Sequence, residues 1–393
     1  MTERSAVILS AVRTPIGRFN GALATRSAID LGSAAARAAT ERALIDPATI
    51  DETLFGVVVQ AGLGQAPARQ IALAAGVPPS VSATTINKVC GSSLKAVMLA
   101  AQAIRADDGD LFLCGGAESM SNAPYILPKA RTGYRLGHGQ VIDSVIADGL
   151  WCSHGNEHMG DAAERIAALH GVSRQEQDEF ALSSHRKAVA AQESGAFRGE
   201  IVPVVVPGRD GSIAISVDEA PRPDTSLSAL ARLRPVFNSE GTVTAGNAPP
   251  LSDGAAAVVV ASDRRARDLG AEPLARIVGY AQAAIEPGLI FAAPPLAIEA
   301  LLARTKTALR DYQTIEINEA FSAQVLANHR VLNWDWDRFN VRGGAVALGH
   351  PLGATGARIL TTLVHALRAR GGGLGLCALC LGGGGAVALA IEV

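Results

Sequence analysis

The sequence predicts an α/β fold: two similar αβ repeats packed with pseudo-two-fold symmetry, and a region with helices of its own inserted between them. Three observations predict it. Short apolar strands alternate with helical stretches, the element order of the first third returns in the last third, and the intervening stretch is richer in Pro, Gly and charge. The first copy runs strand "SAVILSAV" (5–12), helix "DLGSAAARAATERAL" (30–44), strands "LFGVVVQAG" (54–62) and "SATTINKV" (82–89), helix "GSSLKAVMLAAQAIR" (91–105) and strand "DLFLCGGAES" (110–119). The second runs strand "LARIVGYAQA" (274–283), helix "PLAIEALLARTKTAL" (295–309), strand "TIEINEAFS" (314–322), "RFNVRGG" (338–344), helix "GATGARILTTLVHALR" (353–368) and strand "LGLCALCLGGG" (374–384).

Each repeat holds one helix with a buried stripe. Leu94, Val97, Met98 and Ala101 recur at helical spacing, as do Ile359, Leu360, Leu363, Val364 and Leu367. Such alternation of strand and helix argues a parallel or mixed sheet covered on both faces. The inserted part is clearly helical over 158–195, and "GAAAVVVAS" (254–262) reads as a strand returning to complete the first repeat. "DRRARDLG" (263–270) reads as a solvated helix face. The expected division is 1–119 with 253–271 as the N-terminal core, 120–252 as the insert, and 272–393 as the C-terminal core.

Composition narrows the function classes. With 48% hydrophobic and 18% charged residues, the chain is a packed globular protein, and a net charge of −2 points away from nucleic acid or a membrane surface. No apolar run is expected to reach the ~18 residues of a spanning helix. "MTERSAVILSAVRTP" alternates like a strand and lacks a signal-peptide pattern, so a cytoplasmic location is expected. The five cysteines, Cys90, Cys114, Cys152, Cys377 and Cys380, argue against a disulfide framework. A zinc site wants four ligands, and only one CxxC pair exists, so no metal is expected. On a strand, an offset of three puts Cys377 and Cys380 on opposite faces. Cys377 is then a packing residue, and Cys380 stands at the strand's carboxyl end, where glycines let a ligand approach the backbone.

Three further constellations stand out. In "NKVCGSSLKAV", Cys90 lies at a helix N-terminus, where the dipole and free N–H groups favour thiolate. In "GGAVALGHPLGATG", His350 sits in a glycine-rich turn, and imidazole is the natural base for a thiol. In "NEAF", Asn318 ends an apolar strand and can cap a helix or serve an oxyanion. Each alone also fits a structural role. Together they propose two thiols and one imidazole converging where the repeats meet.

These motifs, with "GQAPARQIAL" (64–73), "GGAESMSNAPY" (115–125), "EHMGDAAERIA" (157–167), "TVTAGNAPPLSDGAAAV" (242–258) and "CLGGGGAVA" (380–388), make the chain resemble the thiolase family over essentially its full length. The resemblance implies five layers, α-β-α-β-α, with the insert as a loop domain that binds CoA. It implies an acyl-CoA C-acyltransferase that condenses two acetyl-CoA to acetoacetyl-CoA, or thiolyses short 3-ketoacyl-CoA, through an acyl-Cys90 intermediate. Cys90 would be the nucleophile, His350 its activator and Cys380 the acid/base. Asn318 would hold a water in one oxyanion hole together with His350, and the N–H groups of Cys90 and Gly382 would form the other. Leu150, His158 and Met159 match pantetheine-side positions, Arg222 the nucleotide end of CoA, and Phe237 and Phe321 pocket aromatics, though Met159 and Phe237 also fit a core role. No cofactor is implied, since CoA and acyl-CoA are substrates, and a homodimer or homotetramer is.

Three departures bear on specificity. Pro249 stands where the family has a serine, and proline offers neither hydroxyl nor N–H. Gly385 stands at a methionine. "IFAAP", with Ile290 and Phe291, replaces a Met-Gly-x-Gly-Pro stretch near the acyl pocket, which predicts a pocket filled for short chains. The alternatives are a broader-range 3-ketoacyl-CoA thiolase of fatty-acid oxidation, a ketosynthase-type condensing enzyme, and a thiolase-like acyl-CoA-binding or redox-sensing protein without turnover.

Overall fold

A computed structural model describes residues 4–209 and 211–393. Nine main strands form one mixed sheet: β1 (Ala6–Arg13), β2 (Glu52–Gly56), β3 (Ser82–Ile86), β4 (Leu111–Ser119), β5 (Ser252–Ser262), β6 (Ala275–Ala284), β7 (Tyr312–Ile317), β8 (Leu374–Leu381) and β9 (Gly385–Glu392). A short segment, Gly17–Arg18, pairs with the start of β5. The spatial order is β7-β8-β9-β6-β1-β5-β4-β2-β3. Read outward from the β1–β6 seam, the two halves correspond: β1 to β6, β5 to β9, β4 to β8, β2 to β7. Only β3 lacks a full counterpart. There "RFNVRGG" gives a single parallel bridge, Phe339 to Ile315.

The layers follow from alternation along the strands. On β5, Ala255, Ala257, Val259 and Ala261 pack on the outer helices α1 (Ala28–Arg42) and α2 (Pro67–Ala74). Ala256, Val258 and Val260 face inward onto α3 (Ser92–Ala106) and α8 (Thr355–Ala369). In the second half, Val387, Leu389 and Ile391 of β9 meet the same central helices. Ala386, Ala388 and Ala390 face α6 (Ala293–Thr305), and Val325 of α7 (Ser322–Leu332) belongs to that outer core. The stripes on α3 and α8 are therefore the shared middle layer. Alanines on the outer faces let the outer helices lie close to the sheet.

The described residues between β4 and β5 add no long strand to this sheet. They form α4 (Met159–His170), α5 (Arg174–Glu193) and three two-stranded ribbons. A buried ionic cluster ties this insert to both halves. Arg13 at the end of β1 donates to Glu200 at 2.6 Å and pairs with both oxygens of Asp218 at 2.7 and 2.8 Å. Thr362 on α8 also donates to Glu200, at 3.1 Å.

Several expectations change. The strand expected over 54–62 ends at Gly56, because the N–H groups of Val58 and Val59 turn to the Glu118 carboxylate instead of a ladder. The strand expected over 314–322 ends at Ile317, with α7 starting at Ser322. β9, the return of a hairpin from β8, has no counterpart in the pattern reading. The expectation about spanning segments is also corrected. Pro287–Thr305 is, by length and composition, apolar enough to cross a membrane over 19 residues. Here it is a turn leading into α6, which buries Ala293, Ala297, Ile298 and Leu301 on the sheet while Glu299 and Arg304 face outward.

Candidate active site

Cys90 is presented by a strained turn. Between the end of β3 and the start of α3, Asn87 accepts the Val89 N–H at 3.1 Å, and Val89 takes φ +47°. A β-branched residue resists this left-handed conformation. The Ser92 hydroxyl secures the turn, accepting from Lys88 N–H at 2.8 Å and donating to Val89 O at 2.6 Å. The backbone N–H groups of Cys90 itself and of Gly382 are directed at the Cys90 sulfur.

His350 comes from the other repeat and is buried. Its N–H donates to Ser252 Oγ at 3.2 Å, its Nδ1 lies 2.7 Å from Thr355 Oγ1, and its Nε2 lies 3.4 Å from Asn318 Nδ2. Asn318 follows β7 and is anchored by its own N–H to Ala378 O at 3.0 Å. The segment after His350 is held from the first repeat. Glu118, at the end of β4, accepts from Val58 and Val59 at 3.1 Å each and from Gly353 at 2.9 Å. This approach is close: a Cβ on Gly116 would fall 2.0 Å from Gly353 O. Glu319 does the same on the far side, accepting from Ser184 Oγ at 2.7 Å, Asn340 Nδ2 at 2.9 Å and Val346 N–H at 3.0 Å.

The two cysteines of the CxxC stand on opposite faces of β8. Cys377 lies in the central core with Leu379 and Leu381, while Cys380 packs with Ile290, Phe291 and Phe321 on the other side. β8 then turns through Gly382–Gly384, with φ +85° at Gly383 and +82° at Gly384, into β9. Cys90, His350, Cys380 and Gly382 thus line one cavity of about 330 Å³. Leu150, His158, Met159, Phe237, Pro249, Ile290, Phe291 and Phe321 complete much of its wall. Asn318 stands behind His350.

The wall is ordered by its aromatic rings. His158 stacks on Phe237 at 4.8 Å, and Phe321 meets Phe291 edge-on at 5.5 Å. His158 caps α4, accepting Gly160 N–H at Nδ1, 3.0 Å away. A neutral ring then carries its proton on Nε2, a donor among the apolar side chains of this part of the wall. Arg222 does not reach this cavity. It is exposed and lines an adjoining groove with Arg18 and His185, which shares Ala245, Ala248 and Leu251 with the catalytic cavity.

Burial dominates the electrostatics. It pushes the Cys90 thiol up to about 12, helped by the negative charge of Glu118 and opposed by the two N–H groups at its sulfur. The expectation of a thiolate favoured by the helix terminus is therefore corrected for the free protein: desolvation outweighs the donors. Burial, with the charge of Arg358, pushes His350 down to about 3. Burial also raises the Cys380 thiol, and the neighbouring Cys90 adds to that. The free site is thus a neutral thiol, a neutral imidazole and a second neutral thiol.

Pattern reading missed Glu118, Ser252 and Thr355, which hold the reactive groups in place. Glu118 sits inside "GGAES", but nothing local marks its partners near residues 58 and 353. Thr355 lies four residues after Pro351, the spacing at which a hydroxyl reaches a carbonyl one turn back.

Known proteins match this chain over nearly its full length. Residues 6–264 match the thiolase N-terminal domain and residues 271–393 the thiolase C-terminal domain. The chain is 52% identical over 390 residues to an acetyl-CoA acetyltransferase of Escherichia coli (strain K12), covering 99% of each. It is 49% identical over 387 residues to one from Cupriavidus necator, covering 98% of each. A crystal structure of the Bacillus anthracis acetyl-CoA acetyltransferase superposes with a TM-score of 0.97 at 42% identity, covering 99% of each chain.

Proposed function

This chain belongs to the thiolase family, and from that premise we propose that it is an acyltransferase joining two acetyl-CoA into acetoacetyl-CoA and CoA, and running the reverse thiolysis. The observation that carries the proposal is the one cavity lined by Cys90, His350, Cys380 and Gly382. The relatives named as acetyl-CoA acetyltransferases support the substrate.

In the first half-reaction, Cys90 Sγ attacks the thioester carbonyl as His350 Nε2 takes its proton. The oxyanion forms toward the N–H groups of Cys90 and Gly382; one such preorganised donor is worth about 3–4 kcal/mol. Collapse releases the CoA thiolate, which takes the Cys380 proton. This leaves an acetyl thioester on Cys90, a Cys380 thiolate and a protonated His350. In the second half-reaction, that thiolate removes the α-proton of a second acetyl-CoA. Burial makes it a strong base for the task. The enolate oxygen faces the new Nε2–H of His350, with Asn318 behind that ring holding a water for the same oxyanion. The enolate carbon attacks the acetyl group, and Cys90 leaves as thiolate and recovers the proton from His350. Each proton is accounted for, and neither half-reaction needs a metal or cofactor.

Ile290 and Phe291, both buried in the cavity wall, support a preference for short acyl groups. Arg18 and Arg222, in the groove that continues from the cavity, support binding of the anionic end of CoA there. A homodimer or homotetramer in the cytoplasm completes the proposal. The test is brief exposure to acetyl-CoA or octanoyl-CoA, then denaturation and peptide mass spectrometry. The expected result is one acetyl group on the Cys90 peptide, formed faster than any octanoyl adduct. An active preparation with no adduct on Cys90 refutes the nucleophile, and a faster octanoyl adduct refutes the short-chain preference.

A further inference from the structure

The hydrogen bonds around His350 determine which of its ring nitrogens carries the proton. We infer that Thr355 is a positioning residue that fixes His350 as the Nδ1-protonated tautomer, which keeps Nε2 bare to receive the proton of Cys90. The inference rests on the proposed role of His350 as the base.

The number of donors around Thr355 decides the tautomer. Thr355 Oγ1 lies 2.9 Å from Pro351 O and 2.7 Å from His350 Nδ1. A backbone carbonyl only accepts, so the one hydroxyl proton of Thr355 goes to Pro351 O. The reverse assignment would set two oxygen lone pairs against each other at 2.9 Å. The Thr355 oxygen is then an acceptor toward the ring, and Nδ1 must be the N–H. Ala354 N–H fills the other position on Pro351 O at 2.9 Å, so the carbonyl is fully used.

The opposite side of the ring agrees. Asn318 places its amide Nδ2 3.4 Å from Nε2, a contact compatible with a bare nitrogen, while Asn318 Oδ1 has no hydrogen-bond partner among the described residues. Thr355 is on α8 and Asn318 follows β7, so the ring is held between two separate elements, and Thr355 is the one whose donor count fixes the tautomer. The charged and titratable groups around the ring come from other elements as well: Arg358 one turn along α8, Cys90 before α3, Cys380 on β8, and Glu118 through Gly353. Burial and Arg358 keep the imidazole neutral, so it has a single proton to place.

Removing the acceptor should move that proton. In Thr355→Val, Nδ1–H would face a methyl group. The Asn318 amide can turn its unused oxygen toward Nε2 and stabilise the other tautomer, which cannot act as base. The test is the ¹⁵N chemical shift of His350, assigned by its loss in His350→Gln, together with the rate of Cys90 acetylation. Wild type should show a protonated Nδ1 and bare Nε2 at pH 7. T355V should show the reverse, with the acetylation rate lowered about 10²–10⁴-fold, the worth of a positioned general base, and KM little changed. Thr355→Ser should restore both tautomer and most of the rate. An Nε2-protonated wild type overturns the inference, and so does a T355V protein that keeps tautomer and rate, or a T355S protein as slow as T355V. If T355V does not fold, the wild-type spectrum alone decides. If His350→Gln acetylates at the wild-type rate, the base role itself fails, a result distinct from a wrong tautomer.

Discussion

Val89 holds a backbone conformation that its side chain resists, and it does so one residue before the thiol it presents. Strain of this kind costs on the order of 1–3 kcal/mol and persists only where neighbours over-determine it. Here Asn87 and Ser92 do so. Cys90, His350 and Cys380 were legible because each stands in a short motif whose chemistry is local: a thiol before a helix, an imidazole among glycines, a thiol at a strand end. The protonation state of Cys90 was not, because it depends on burial that only the assembled repeats create. Cys377 and Cys380 show the same division. Alternation alone separated them, and the structure puts them in different cores. Cys380→Ala should still accept an acetyl group on Cys90, yet lose α-proton exchange of acetyl-CoA with D₂O by about 10²–10⁴-fold. Cys377→Ala should keep the exchange and lose about 1 kcal/mol of stability. NMR of the exchange in both variants checks this, and the opposite pattern would assign the base to the wrong thiol.

At the scale of elements, the site is held by segments that stop being regular. β2 ends early so that two of its following N–H groups can reach Glu118, and the same carboxylate holds Gly353 from the other repeat. The strand limits misread from pattern are therefore the places where backbone serves the site instead of a ladder. Glu118 also carries a pH signature. Burial, chiefly, raises its carboxyl from 4.5 to about 7, against the pull of its three N–H donors. The folded protein therefore binds this proton more tightly than the unfolded chain. The associated stability, about 3 kcal/mol for such a shift, is fully present below pH 4.5 and lost as pH rises through about 7. Glu118→Gln cannot titrate. Urea unfolding from pH 5 to 8 should show wild type losing stability relative to E118Q, whatever their absolute difference; parallel curves would mean that Glu118 is ionised throughout.

At the scale of the molecule, the repeat in the sequence became a mirrored strand order about the β1–β6 seam, with α3 and α8 shared between the halves. What the pattern could not supply was the long-range ionic cluster of Arg13, Glu200 and Asp218, whose members lie far apart in the chain. The correspondence also pairs two connections of very different length. In the first half the link from β4 to β5 carries the whole insert, residues 120–251. In the second half the equivalent link, β8 to β9, is the turn Gly382–Gly384. The same joint in one architecture is thus long on one side and minimal on the other. The fold itself tolerates elongation there, as the first half demonstrates, so the short turn is retained for what its backbone does: Gly382 N–H points at the Cys90 sulfur. A few glycine and serine residues inserted after Gly383 should leave circular dichroism and thermal unfolding near wild type while acetylation of Cys90 collapses. A globally unfolded product would instead make the turn a requirement of folding. Room for evolutionary growth at a loop is then a property of the chemistry its amides perform, and two joints identical in topology can differ completely in their freedom to change.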